Sequence, residues 1–129
     1  MRVLLDTHVW LWLQASPERI SPAALELLLD PSTERFLSVA SAWEIAIKFA
    51  IGKLPLPEPP ALYVPSRMST SVTRPLPISL HHALAVGELP PHHSDPFDRL
   101  LVVQARGEKL PIMTADPQLG AYDVELLAP

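Results

Sequence analysis

The chain has 129 residues, enough for one domain with a single real core, and about half of them are apolar, which excludes a disordered polypeptide. It has no cysteine, so neither a disulfide framework nor a thiolate metal site is available, an absence that fits the cytoplasm. Ten basic against 14 acidic side chains leave a net charge of −4, which argues on charge alone against a protein that coats nucleic acid.

In chain order, MRVLLDTHVWLWLQ is apolar but broken by Asp6 and His8, so it reads as neither a signal peptide nor a membrane span. Arg2 to Leu5 is the first of five short apolar runs that suit buried strands. The others are Arg35 to Val39, Arg74 to Ile78, Leu110 to Thr114 and Val124 to Leu127. Continuous rather than alternating apolar character predicts burial on both faces, as in a parallel sheet. Between the runs lie helical stretches with start signals. Ser21 caps PAALELLL with Pro22 at the first helical position, and Ser41 is the expected cap of AWEIAIKFAI, which stops at Gly52. The proline-rich LPLPEPPALYVP reads as a loop entering a short helix. Ser79 caps LHHALAVG, ending near Gly87, and Asp95 with Pro96 opens FDRLLVVQA. Strands alternating with helices predict an α/β domain over residues 1–129, layered helix, sheet, helix. In such folds, sites form beyond the carboxyl ends of the strands, at the switch in strand order.

Two aspartates fall where that rule points. Asp6 follows the first strand and Asp116 the fourth, although each also suits a turn or a helix cap. Asp30, with the same Asp-Pro dipeptide as Asp116, follows a helix and carries no expected function. Glu44 sits among Trp43, Ile45, Ala46, Ile47 and Phe49, where little polar face remains. It either pairs with Lys48 four residues on or needs a partner or a metal. Asp95, Pro96 and Asp98 have the spacing of a capping box, but the short Asp98 side chain reaches back poorly to the cap's amide. Capping therefore accounts for Asp95 better than for Asp98. Four carboxylates held together would repel and take up protons unless divalent cations relieved them. An all-oxygen donor set selects Mg²⁺ or Mn²⁺, and with them metal-assisted phosphodiester hydrolysis.

The segments LLDTHVWLW, SVASAWEIAIKFAIGKL, HHSDPFDRLLVVQA and IMTADPQL, in that order and nearly end to end, resemble the PIN-domain family, and within it the VapC-type ribonuclease toxins of bacterial toxin–antitoxin pairs. The resemblance implies a parallel sheet of order 3-2-1-4-5 between helices. It carries the family's acidic set onto Asp6, Glu44, Asp98 and Asp116. Asp95 falls on a supporting position, and Thr7 and Thr114 fall on hydroxyl positions beside the site. His8 stands where many members have asparagine. The implied activity is Mg²⁺- or Mn²⁺-dependent endonucleolytic cleavage of RNA, leaving a 5′-phosphate and a 3′-hydroxyl. Asp6, Asp98 and Asp116 would hold metal, and Glu44 would hold metal or orient water. The implied partners are a second copy, in a homodimer, and a small cognate antitoxin.

Other residues read more plainly. His81, His82, His92 and His93 form two adjacent pairs, a poor chelating arrangement for zinc because neighbours on a helix point about 100° apart. Trp10 and Trp12 read as core or interface residues before base-stacking ones. Arg99 is expected to meet phosphate or to pair with an acid, and Arg67 and Arg74 to lie on the surface. Competing functions are a flap-type nuclease acting on DNA, which needs more acids and a helical arch, and a non-catalytic module of the same fold, which missing carboxylates would favour. A phosphate-accepting receiver domain would want an acidic pair near the first strand and a lysine after the last strand, and this chain has neither.

Overall fold

In the computed structural model, which describes residues 1–129, the first apolar run forms β1 (Arg2–Leu5) at the centre of the sheet. β1 pairs in parallel with β2 (Glu34–Ser38) on one side and with β4 (Ile112–Met113) on the other. β3 (Thr73–Leu76) and β5 (Leu126–Leu127) complete a five-stranded parallel sheet of order β3-β2-β1-β4-β5. The fold expected from the sequence is therefore the one found.

Side chains alternate across a strand, and this explains why the strand sequences do not alternate. Val3 and Leu5 pack into one apolar cluster with Leu37 and Met113, while their neighbours Leu4, Phe36 and Ile112 pack into a second. Helices cover both sides. α1 (Thr7–Ala15), α2 (Pro22–Leu29), α3 (Val39–Ala50) and α4 (Pro60–Thr70) supply Val9, Trp10, Leu28, Ile45 and Tyr63 to the first cluster. α6 (Pro96–Glu108) supplies Leu101, Val102, Val103 and Ala105 to the second, with α5 (Leu80–Ala85) packed beside it. Trp10 is fully buried and donates its indole N–H to Thr73 Oγ1 at 3.2 Å, so it belongs to the core, as expected. Trp12, half-buried, lies under the Arg19 guanidinium.

Helix starts follow their signals with one correction. Ser21, Ser79 and Asp95 cap α2, α5 and α6 with side-chain acceptors. α3, however, begins three residues earlier than expected, at Val39, with Ser38 as its cap. The chain passes from β2 into α3 with no loop, so Ser38 both ends the strand and starts the helix. Ser41 then lies inside α3, buried against Thr7. α3 ends near Gly52, whose φ of +75° suits glycine and reverses the chain. The proline-rich stretch enters α4, which continues through Pro65. No helix is long and apolar enough to cross a membrane.

Strand order reverses at β1, since the chain moves outward through β2 and β3 before returning to β4 on the opposite side. The carboxyl ends of β1 and β4 therefore open side by side at the switch point, and Asp6 and Thr114 are the residues that follow them.

Candidate active site

Asp6 stands at the N-cap position of α1 but makes no side-chain capping bond. Its Oδ2 instead accepts a 2.6 Å hydrogen bond from Thr114 Oγ1 across the switch point. The same Thr114 oxygen accepts the Asp116 N–H at 3.0 Å, so one hydroxyl aligns the ends of both strands. Asp6 is buried, and that burial raises its carboxyl above the usual range, opposed by the Thr114 bond.

Glu44 is buried on α3 with both oxygens engaged. Oε1 accepts from Thr7 Oγ1 at 2.6 Å and Oε2 from Lys48 Nζ at 2.6 Å. Ser41 Oγ lies 2.8 Å from the same Thr7 oxygen. A hydroxyl has one proton, so Thr7 donates to Glu44 and accepts from Ser41. Both alternatives weighed for Glu44 thus occur together: it pairs with Lys48 four residues on, and it is buried with a second partner facing the site.

Asp95 Oδ1 accepts the Phe97 and Asp98 N–H groups at 2.8 and 3.3 Å, an N-cap to α6. In a full capping box the third helical residue would bond back to the N–H of Asp95. That N–H goes instead to His93 Nδ1, at 3.1 Å, so the Asp98 carboxylate is left to face the other acids. Burial first, then the charges of Asp6 and Asp95, push the Asp98 carboxyl up to about 7, with Glu44 adding to the effect and His93 opposing it. Asp116 caps the short helical turn Pro117–Ala121 through Oδ1, which accepts from Gln118 N–H at 2.9 Å. Burial acts to raise its carboxyl, but the Gln118 and His93 hydrogen bonds outweigh this and hold it below the usual range.

His93 is the member that sequence reasoning missed. Its Nε2 lies 3.0 Å from Asp116 Oδ2 and 3.3 Å from Asp98 Oδ2, joining the helix-borne acid to the strand-borne one. Adjacency was the wrong question for this histidine, because its partners lie five and 23 residues further along the chain. His8, two residues past Asp6, acts to lower the Asp6 carboxyl, while His82 uses Nδ1 to complete the α5 capping box and His92 lies edge-on to Tyr122.

Arg99 requires a second correction. Its guanidinium donates to the carbonyls of Val86, Leu89, Pro90 and His93 and to Tyr122 Oη, so it pairs with no acid. It ties the 86–93 segment to α6. Arg67 lies over Tyr63, and Arg74 is exposed.

The assembled site is a partly buried carboxylate cluster beyond the carboxyl ends of β1 and β4. A cleft of about 500 Å³ lined by Thr114, Asp116, Pro117 and residues 126–129 runs beside it. The PIN domain family model matches residues 3–125. The chain belongs to the PIN-domain family. Over 57 residues this PIN domain is 53% identical to ribonuclease VapC16 of Mycobacterium tuberculosis, a stretch covering 44% of the chain and 39% of that relative's length. It also superposes on the crystal structure of VapBC2 from Rickettsia felis bound to a promoter DNA fragment, with a TM-score of 0.74, 16% identity and coverage of 99% and 98% of the two chains. With FitAcB from Neisseria gonorrhoeae the TM-score is 0.63 at 20% identity, covering 98% and 97%. At those identities the two structures establish the likeness of the PIN fold alone.

The PIN donor set suits a hard divalent cation. Asp6, Asp98 and Asp116 offer oxygen only, no thiolate is present, and Asp98 is held up toward 7 first by burial and then by neighbouring carboxylates whose repulsion a cation would offset.

Proposed function

We propose that this PIN domain is a divalent-cation-dependent endoribonuclease and the toxin of a toxin–antitoxin pair. The observation that carries the reading is the gathering of ligand-type atoms of Asp98 and Asp116, with His93, within 4.8 Å of one another, close enough to Asp6 and Glu44 for their charges to add to burial in raising the Asp98 carboxyl to about 7. The ribonuclease name of the Mycobacterium tuberculosis relative supports the choice of RNA.

In this reading Asp6, Asp98 and Asp116 hold Mg²⁺ or Mn²⁺. When bound, the cation neutralises the scissile phosphate and makes water a stronger nucleophile. Thr114 fixes Asp6 through one oxygen and leaves the other to the site. Glu44, held by Thr7 and Lys48, orients the attacking water rather than ligating. The water oxygen releases a proton to solvent as it bonds to phosphorus, and the P–O3′ bond breaks. The electron pair leaves on O3′, which takes up a proton, giving a 5′-phosphate and a 3′-hydroxyl. Asp95 supports this set as the cap that aims Asp98.

The partner is an antitoxin, as in the toxin–antitoxin complex from Klebsiella pneumoniae, whose fold this chain shares. Val39, Trp43 and Ile47 on α3 and Ile51 at its C-cap lie exposed at four-residue spacing, and Trp43 packs edge-on against Phe97, next to Asp98. An antitoxin segment with an apolar face would cover that stripe and the site together. A homodimer completes the assembly.

Purified protein incubated with total RNA and Mg²⁺ or Mn²⁺ should yield discrete fragments. Chelation by EDTA should abolish them, and Asp6→Asn should lower the rate at least about 100-fold. Undiminished cleavage by that variant would sink the assignment, and preferential cutting of structured DNA would replace it with the flap-type alternative.

A further inference from the structure

We infer that His93 is a positioning residue of this site, its Nε2–H drawing Asp116 toward Asp98 so that both carboxylates face one point before a cation arrives. The inference rests on the reading of those aspartates as cation ligands and adds a residue to it.

Three ligand-type atoms, from His93, Asp98 and Asp116, gather within 4.8 Å of one another, which by itself would suggest a three-ligand metal site including the imidazole. The hydrogen bonds exclude the imidazole from ligation. A ring nitrogen binds a metal through a bare lone pair, and which nitrogen is bare depends on the bond made by the other. The Asp95 N–H points at Nδ1, so Nδ1 is the acceptor and the ring hydrogen sits on Nε2. Nε2 therefore donates, to Asp116 Oδ2 at 3.0 Å, with Asp98 Oδ2 also close, at 3.3 Å.

The ring is held to that task from behind. The His93 N–H donates to Tyr122 Oη, which in turn donates to the Pro90 carbonyl, and Arg99 donates to the Pro90 and His93 carbonyls. The His93 side chain is 12% exposed, against 31% for Asp116. The anchored partner is therefore the imidazole and the looser one the carboxylate. Asp98 needs no such help, because α6 carries it. Asp116 follows a two-residue strand, and apart from its own turn His93 is what directs its side chain inward.

The test compares Mn²⁺ affinity of the metal-stripped protein by calorimetry with that of His93→Gln, whose amide nitrogen ends near Nε2, and His93→Asn, whose amide ends near Nδ1. The Asn variant is expected to bind about 10- to 100-fold more weakly, and the Gln variant within a few-fold of the parent. Long-range ¹⁵N–¹H spectra of His93 should show hydrogen on Nε2 with and without Mg²⁺. Equal affinities in all three proteins overturn the positioning role. A ring that carries hydrogen on Nδ1, or loses it from Nε2 when Mg²⁺ is added, overturns it in favour of ligation. A parent chain that binds no Mn²⁺ overturns the cation site as well. Cation binding with these differences but without RNA cleavage leaves the positioning role standing and removes only the nuclease reading.

Discussion

Among single residues, Asp98 carries the largest electrostatic tension. Its carboxyl moves from 3.8 to about 7, chiefly through burial and then through Asp6 and Asp95. Between those values the folded chain keeps a proton that the unfolded chain has released, so stability falls as pH rises from about 4 to about 7. Asp6 is raised too and acts in the same direction, whereas Asp116 is lowered and acts only at more acid pH. In EDTA, the melting temperature should drop by at least about 5 °C across that window, and Asp98→Asn should remove most of the drop. Mg²⁺ should restore stability at pH 8 and have little effect at pH 5, because it competes with the proton for the same oxygens. A flat melting profile for the parent chain in EDTA would show that these carboxylates do not share a crowded site.

At the scale of the elements, what could be read depended on whether the deciding contact was local. β1 is found at its expected bounds because both of its faces are buried and its apolar run matches its pairing. β4 and β5 are shorter than the apolar runs that announced them, since Leu110 and Val124 pack into the core without joining the ladder. The start of α3 was misplaced because Ser38 and Ser41 are both sound caps in sequence. Burial at the end of β2 decides between them, and that is a tertiary fact. Asp6, Glu44, Asp98 and Asp116 were legible because a carboxylate after a strand or inside an apolar helix stands out locally. His93 was not, since only the folded chain brings Asp116 to it.

Gln104 shows the same dependence. It is fully buried on α6, accepts from the Ser38 hydroxyl and donates to the Leu76 and Pro77 carbonyls, joining α6 to the ends of β2 and β3. Gln104→Met keeps the volume and strands those three groups. A loss of about 2–4 kcal/mol in urea unfolding is expected, and an unchanged midpoint would show that the bonds contribute nothing net.

Over the whole molecule, an acidic protein is proposed to act on a polyanion. The net charge is −4, and the two basic side chains beside the acidic cluster are already committed, Lys48 to Glu44 and Arg99 to loop carbonyls, so neither is free to neutralise a phosphate there. Each phosphate met by a cationic side chain adds about −0.7 to the logarithmic salt slope for single strands. At fixed Mg²⁺, kcat/KM for RNA should therefore fall with NaCl at a slope shallower than about −2. A steeper slope would reveal a basic surface engaged only in the complex.

The hydrogen bond from Thr114 to Asp6 spans 108 positions of sequence. During synthesis Asp6 leaves the ribosome long before Thr114 and Asp116 are made, and until then β1 has no neighbour on its β4 side. Sheet closure and assembly of the carboxylate cluster are thus one late event, and the site proposed to cut RNA does not exist until residues 112–116 have joined β1.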